Sequence, residues 1–299
     1  MLLPPRQTLI GLCAVALLCG FARPAEAWVL YETDSGSHCT LRWYDSPTVG
    51  VDQGGVQGIP GATLAAITQR ALDQWQASAC AGAAGSPTKL PITLGFSGQA
   101  VPTPVGATCT DSSDPCKKMT SNGNFVRAVR KPATWPYGGT IFALTVVTFD
   151  QCTGEIVDAD IELDDVGHQF CDGSCGPGAQ DLSNTLTHEI GHLLGLDHSL
   201  ASEATMDSSG PSGQTKKATL HGDDRQGVCA AYTGGCGRNH SCKKTTAGSE
   251  GKGTTDQGGC AVRANGNPLS MVWVLLTLAG VATATSRAGR RHGAGRGKV

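Results

Sequence analysis

The sequence predicts an α+β fold, a twisted sheet packed against helices, and three observations lead to this prediction. Residues 60–79 place apolar side chains at three- and four-residue intervals, which is typical of an amphipathic helix. Residues 155–163 alternate apolar and acidic side chains, as a strand does when one face is buried. A further segment begins at the capping residue Asp181 or Ser183 and ends near Gly195, which predicts a second helix.

Other strands and loops complete this layout. Residues 28–43 are expected to form an opening strand because apolar side chains recur there at roughly alternate positions. Residues 91–96 predict a short strand, and residues 140–149 strongly favour a β-strand. The intervening segment 98–122 is rich in Pro, Ser, Thr and Asp, so we expect a loop there.

The most informative segment is the eleven-residue run from His188 to His198. Residues four apart lie on one face of a helix, so His188 and His192 can present ring nitrogens to one metal ion. Glu189 lies one residue along, where it can reach a water on that ion. A helix end at Gly195 would let the chain turn back and supply His198 as a third ligand. Three protein ligands leave one position open, which is the catalytic arrangement of zinc.

The spacing His-Glu-x-x-His-x-x-Gly-x-x-His resembles that of the metzincin zinc proteases, and with Ser199 after it the run is most similar to the matrixin branch. The resemblance implies a zincin-like catalytic domain, in which a twisted mixed sheet packs on the active-site helix. By the same resemblance His188, His192 and His198 would be the zinc ligands. Glu189 would be the catalytic residue that takes a proton from water.

The resemblance extends along the chain. Met206 stands where metzincins carry a methionine in a turn beneath the metal site. Asp207 and Ser208 then replace the Tyr-Pro pair of common matrixins, so the wall of the substrate pocket departs from the family. Residues 156–161 resemble the strand before the active helix in bacterial matrixins, and residues 220–228 resemble the start of the matrixin C-terminal helix.

The resemblance implies a zinc-dependent endopeptidase that acts on a protein or peptide substrate. Two alternatives share the metal site: a surface adhesion or scaffold protein that keeps zinc for stability, and a zinc amidase acting on cell-wall peptides. Glu189 argues against the first, because a structural site has no use for a carboxylate beside an open coordination position. The two enzyme classes share their chemistry and differ in substrate.

The distribution of charge predicts cations rather than nucleic acid as partners. Residues 28–267 contain 24 acidic and 16 basic residues, and residues 150–215 contain thirteen acids and no Lys or Arg. Carboxylates at this density repel each other unless cations neutralise them, and Ca²⁺ takes oxygen ligands of this kind. The calcium candidates are Asp158, Asp160, Asp164 and Asp165, with a solvated strand face as the alternative. Candidates for a second zinc are His168, His221 and His240, with ordinary surface histidines as the alternative.

Both ends of the chain predict export. Residues 1–27 have a basic start, an apolar stretch and an Ala-Glu-Ala cleavage site, which is typical of a signal peptide. We expect a catalytic domain over residues 28–233, followed by a Cys- and Gly-rich stalk over residues 234–267. Residues 268–299 contain a sixteen-residue apolar segment and then only basic charges, which fits a membrane anchor with the catalytic part outside. A buried C-terminal helix with a basic tail is the alternative.

Cys260 is followed by a short polar spacer, the apolar segment and a cluster of arginines. This order resembles that of the sorting tags of myxobacterial surface proteins. That resemblance implies processing or lipid anchoring at Cys260, so the protein would be surface-anchored or released, and we expect a monomer.

Without Cys260 the exported chain keeps ten cysteines, an even number that predicts disulfides in an oxidising compartment. Three close pairs are the simplest pairings: Cys109 with Cys116, Cys171 with Cys175, and Cys236 with Cys242.

Overall fold

The structure is a computed structural model that describes residues 26–33, 38–81, 87–109, 119–131, 135–173, 175–239 and 261–263. Five strands form its main sheet: β1 (Thr48–Asp52), β2 (Gly95–Ala100), β3 (Asn124–Val129), β4 (Ala143–Phe149) and β5 (Ile156–Asp164). The helices are α1 (Gly61–Gln76), α2 (Leu182–Leu193) and α3 (Gly222–Thr233), with a 3₁₀ turn at Lys216–Ala218. The mixed α+β fold is therefore confirmed.

The main sheet has the order β2-β1-β3-β5-β4, and its strands are parallel except for β4. Strand β4 runs antiparallel to β5, with Thr145 opposite Ile161. A three-residue strand, β6 (Ala261–Arg263), pairs antiparallel with the outer side of β4. Short ladders of two-residue strands join Cys80–Ala81 to Pro87–Thr88, Thr108–Cys109 to Met119–Thr120, and Phe170–Cys171 to Gln180–Asp181.

Helices α1 and α2 cover one face of the sheet and form the core with it. The apolar stripe that predicts α1 is the buried face of the helix, since Leu64, Ile67, Leu72 and Trp75 are all fully buried. The indole nitrogen of Trp75 donates a hydrogen bond of 2.8 Å to the carbonyl of Thr187, which joins α1 to α2. Burial of this stripe, rather than local propensity, holds α1 in place.

The opposite face of β5 carries the acidic side chains that alternate with its core residues. Asp158 and Asp160 are fully buried, and residues from the segment between β2 and β3 contact them on this face. The backbone N–H of Gly106 donates to Asp160 at 2.8 Å, and the hydroxyl of Ser121 donates to Asp158 at 2.6 Å. A solvated strand face is therefore wrong for these two aspartates.

Several predicted boundaries differ from the structure. Instead of a strand, the described parts of residues 28–43 form isolated bridges: Leu30 pairs with Leu196, and Glu32 pairs antiparallel with Thr40. The short strand predicted at residues 91–96 lies further on, at Gly95–Ala100. Strands β1 and β3 were not expected. Strand β1 is buried on both faces, and such parallel strands lack a long alternating pattern.

The disulfides confirm one predicted pair and correct another. Cys171 pairs with Cys175 as expected. Cys236 pairs with Cys39 instead of Cys242, at a Cα–Cα distance of 5.3 Å, because the chain after α3 returns to the N-terminal segment. A further bond joins Cys80 to Cys229. The predicted pair of Cys109 and Cys116 is not tested, since Cys116 lies outside the described residues.

The predictions for the two ends of the chain are also untested. Residues 1–25 of the predicted signal peptide, Cys260 and the apolar segment 269–284 all lie outside the described residues. In the part of the chain that the structure describes, no helix has the length and apolar character that crossing a membrane requires.

Candidate metal centre

Helix α2 carries two of the candidate metal ligands and begins where the sequence predicts. Asp181 caps it, and its carboxylate accepts a hydrogen bond of 2.7 Å from the backbone N–H of Asn184. Leu186 and Ile190 are fully buried against the sheet and α1. This burial fixes the rotation of the helix about its axis.

Gly195 ends the helix and redirects the chain, as its position in the sequence predicts. Its φ is +95°, in the left-handed region, and a Cβ there would lie 2.1 Å from the carbonyl oxygen of Leu41. The N–H of Gly195 donates to the carbonyl of His192, and the N–H of Leu196 donates to that of Gly191, which is a Schellman motif. The turn returns the chain toward the helix, so His198 faces the other two histidines.

The structure brings the three predicted ligands together. One nitrogen from each of His188, His192 and His198 lies within 4.8 Å of the other two. The ring centroids are 4.8 to 5.2 Å apart, and the His192 ring is nearly perpendicular to the other two. Three imidazole nitrogens at this spacing are a donor set that Zn²⁺ accepts, with a fourth position left for water.

Hydrogen bonds on the far side of two rings fix their orientation. Nδ1 of His188 lies 2.7 Å from the carbonyl oxygen of Thr205, and Nδ1 of His192 lies 2.8 Å from that of Leu196. A carbonyl oxygen only accepts, so each Nδ1 carries the proton and each Nε2 keeps a free lone pair. Outer hydrogen bonds of this kind orient metal-ligating histidines in general, so the residues fit a zinc ion.

Electrostatics favour the neutral form of the His188 and His198 rings. Burial, with the neighbouring His192 and Lys217, lowers the pKa of His198 to about 3, and burial lowers the pKa of His188 well below its usual value. A neutral imidazole is the form that ligates a metal. Near neutral pH these two rings are therefore in the form that binds a cation.

A turn that contains Met206 supports the centre from below, and α3 holds this turn. The carboxylate of Asp224 accepts hydrogen bonds from the backbone N–H groups of Thr205 at 2.8 Å and Met206 at 2.9 Å. The sulfur of Met206 packs so closely on Gly191 that a Cβ there would lie 2.2 Å from it. Asp224 thus positions the carbonyl that orients His188. In the sequence, residues 220–228 resembled the start of the matrixin C-terminal helix, but nothing assigned this role to Asp224.

Glu189 lies beside the histidines and is 6% exposed. The hydroxyl of Thr145, on β4, donates to its Oε2 at 2.7 Å and lies 3.0 Å from its main-chain oxygen. Burial raises the pKa of Glu189 above its usual value, while His192, Thr145 and Lys217 act in the opposite direction. A buried carboxylate with a raised pKa, adjacent to a metal centre, is typical of a residue that exchanges protons.

Lys217 adds a positive charge close to the centre. It is 7% exposed, and its ammonium group donates to the carbonyl oxygen of Asp207. Burial lowers the pKa of Lys217, and its charge lowers those of Glu189 and His198. Thr145 and Lys217 were both missed in the sequence because nothing local marks them; the fold brings them to the centre from distant segments.

Among the described residues, the remaining candidate ligands do not come together as a second metal centre. Asp164 accepts hydrogen bonds from the loop after β5 and lies 2.9 Å from His168, while Asp165 accepts from Gln57. His221 caps α3, and His240 lies outside the described residues. Apart from the three histidines, one metal-compatible group occurs among the described residues: Cys171, Cys175 and Asp181, whose cysteines are disulfide-bonded.

We expect replacement of Gly195 by Ala to destabilise the protein and weaken zinc binding. The left-handed φ alone costs a residue with a side chain about 1–3 kcal/mol, and contact with Leu41 adds to this because the backbone must move. The matched control is Gly138→Ala, since Gly138 has φ +87° and open space around its missing Cβ. Thermal unfolding and zinc titration should show a larger loss for Gly195→Ala, and equal losses would contradict the prediction.

The comparisons with known proteins agree with this geometry. The family model of the matrixins matches residues 137–233, a span that contains the three histidines, Glu189, the Met206 turn and α3. Among curated proteins, no match to the chain is found. Residues 137–233 therefore form the matrixin-like part of this chain, and the matrixin family implies a zinc-dependent metallopeptidase.

Proposed function

We propose that this protein is a secreted or surface-anchored zinc endopeptidase in which His188, His192 and His198 hold the metal and Glu189 is the general base. The observation that carries the proposal is the convergence of three oriented imidazoles with one buried carboxylate beside them. A site that only stabilised the fold would gain nothing from that carboxylate. The matrixin match over this segment supports the same reading.

The chain's own residues account for the proton transfers of peptide hydrolysis. A zinc ion held by the three imidazoles would polarise the peptide carbonyl and lower the pKa of water to about 7. Glu189 accepts the proton of the attacking water and then donates it to the leaving amine. Because burial raises the pKa of Glu189, its carboxyl can hold that proton between the two steps.

The proposal is tested by peptide cleavage. We expect the purified protein to cleave casein or members of a peptide library, to lose this activity with a zinc chelator, and to regain it when zinc is added. Cleavage that persists without metal would refute the proposal. Zinc binding with no cleavage would favour the adhesion or scaffold alternative, and cleavage restricted to cell-wall peptides would favour the amidase.

Export is part of the proposal, and the disulfides support it. Cys39, Cys80 and Cys171 each form a disulfide with a partner in the described residues, and disulfides persist mainly in oxidising compartments. Mass spectrometry of the protein from its source would test the start at Trp28 and processing at Cys260. An intact chain found inside the cell would contradict export. The domain boundary at residue 233 and the monomeric state stay predictions.

Calcium also stays a prediction, and its best support is the buried pair Asp158 and Asp160. One carboxylate oxygen of Asp158 has no hydrogen-bond partner among the described residues. Burial, reinforced by Asp158, raises the pKa of Asp160 to about 7. A cation between such carboxylates would remove the cost of keeping them ionised.

The pair predicts a specific dependence of stability on pH. The pKa of Asp160 is raised in the folded state, so its protonated carboxyl contributes to the free energy of unfolding. This contribution is fully present below about pH 4 and is lost as the pH rises through about 7. With a chelator present to remove calcium, we expect Asp160→Asn to reduce this decrease of stability with rising pH. In the wild type at pH 8, calcium should raise the melting temperature, and an unchanged melting temperature would exclude calcium at this pair.

A further inference from the structure

We propose that Thr145 is the positioning residue of the general base, holding the Glu189 carboxylate in the orientation that proton transfer requires. The inference rests on the proposed function, since it assigns a role within the same site. It is carried by the contact between the two side chains and by the rigidity of the strand that provides the hydroxyl.

The contact joins strand β4 to helix α2. The hydroxyl oxygen of Thr145 lies 2.7 Å from Oε2 of Glu189 and 3.0 Å from its main-chain oxygen. The hydroxyl has one proton, and the shorter distance assigns it to Oε2, so β4 fixes the carboxylate relative to α2. With Oε2 held in this way, Oε1 is the oxygen left to accept a proton.

Thr145 is well suited to hold another side chain in place. Its branched Cβ restricts χ1, and its backbone pairs with Ile161 in the antiparallel ladder of β4 and β5. The Glu189 side chain, in contrast, has three rotatable bonds between its backbone and its carboxylate oxygens. A displacement of about 1 Å in a catalytic group can cost roughly 100-fold in rate, so a fixed donor at this position matters for turnover.

Another threonine on the same strand provides a matched control. Thr148 is three residues further along β4, and its hydroxyl accepts a hydrogen bond of 3.4 Å from the backbone N–H of Ala107, in the loop that covers the outer face of the sheet. It is fully buried. Thr148→Val therefore removes a threonine hydroxyl from the same strand without touching Glu189.

The kinetic experiment compares Thr145→Val, Thr145→Ser and Thr148→Val in the zinc-loaded protein. We expect Thr145→Val to lower kcat by about 10- to 100-fold with KM nearly unchanged, since the carboxylate loses its position. Thr145→Ser keeps the hydroxyl and should restore most of kcat, and Thr148→Val should match the wild type. In a Glu189→Gln background, Thr145→Val should cause little further loss, because the group it acts on is gone.

A structural readout separates this inference from the proposed function. Crystal structures of the wild type and Thr145→Val should show one carboxylate position in the former, at the 2.5–3.0 Å typical of O–H···O bonds, and a displaced or multiple position in the latter. An unchanged Glu189 in Thr145→Val, an unchanged kcat, or a Thr145→Ser variant as slow as Thr145→Val would overturn the inference. If the wild type cleaved no peptide, the proposed function would be refuted. The crystal structures would still show whether Thr145 fixes the position of the Glu189 carboxylate.

Discussion

Replacing Glu189 with Gln is expected to lower kcat for peptide cleavage by at least about 1,000-fold, within the range that general acid–base catalysis contributes. Glutamine has nearly the same volume and can still accept a hydrogen bond from Thr145, so the fold and the three imidazoles should be unchanged. It cannot take up a proton from water. The measurement is kcat on a fluorogenic peptide, together with zinc content and thermal unfolding.

The control for this variant is Glu203→Gln, which makes the same substitution at an exposed acid in the loop after His198. It should leave kcat and zinc content at the wild-type values. A Glu189→Gln variant that cleaved peptides at the wild-type rate would refute the assigned role. A variant that lost its zinc would show that Glu189 acts on the metal site rather than on the proton.

Removing the metal is the second change with a large expected effect, in this case on stability. If zinc binds the folded state alone at about 1,000 times its dissociation constant, it contributes about 4 kcal/mol to the free energy of unfolding. For a domain of this size each kcal/mol corresponds to roughly 2–4 °C in melting temperature. We therefore expect chelation to lower the melting temperature by about 8–16 °C.

The variant His192→Ala should lack this zinc-dependent increase, because two imidazoles remain where three are needed. Its melting temperature should be the same with zinc and with chelator, and its zinc content should be far below one ion per chain. His168→Ala is the matched control, since His168 contacts Asp164 and is not one of the three ligands. A His192→Ala variant that retained one zinc ion and its stabilisation would mean that the ion binds elsewhere.

The sequence alone determined the elements of the centre that are local in the chain. His188 and His192 lie four residues apart on a single helix, so their common direction follows from helical geometry. Asp181 and Gly195 set the ends of that helix through capping and positive φ, which are local properties. The direction of His198 follows from the same turn.

The tertiary structure decided what depends on contacts between distant segments. Thr145 reaches Glu189 because β4 packs beside α2, and Asp224 holds the Met206 turn because α3 packs beneath it. Likewise Cys236 pairs with Cys39 across 197 residues of sequence rather than with a near neighbour. Pairings of this kind follow from packing of the whole domain, which no short window of sequence contains.

The acidic strand β5 shows both contributions in one element. Its alternation predicted a strand with an apolar face, and Ile161 and Leu163 are fully buried in the core. The sequence could not show that a loop would also bury Asp158 and Asp160 on the other face. Side-chain alternation is fixed by the geometry of a single strand, whereas burial of the second face depends on where a distant loop packs.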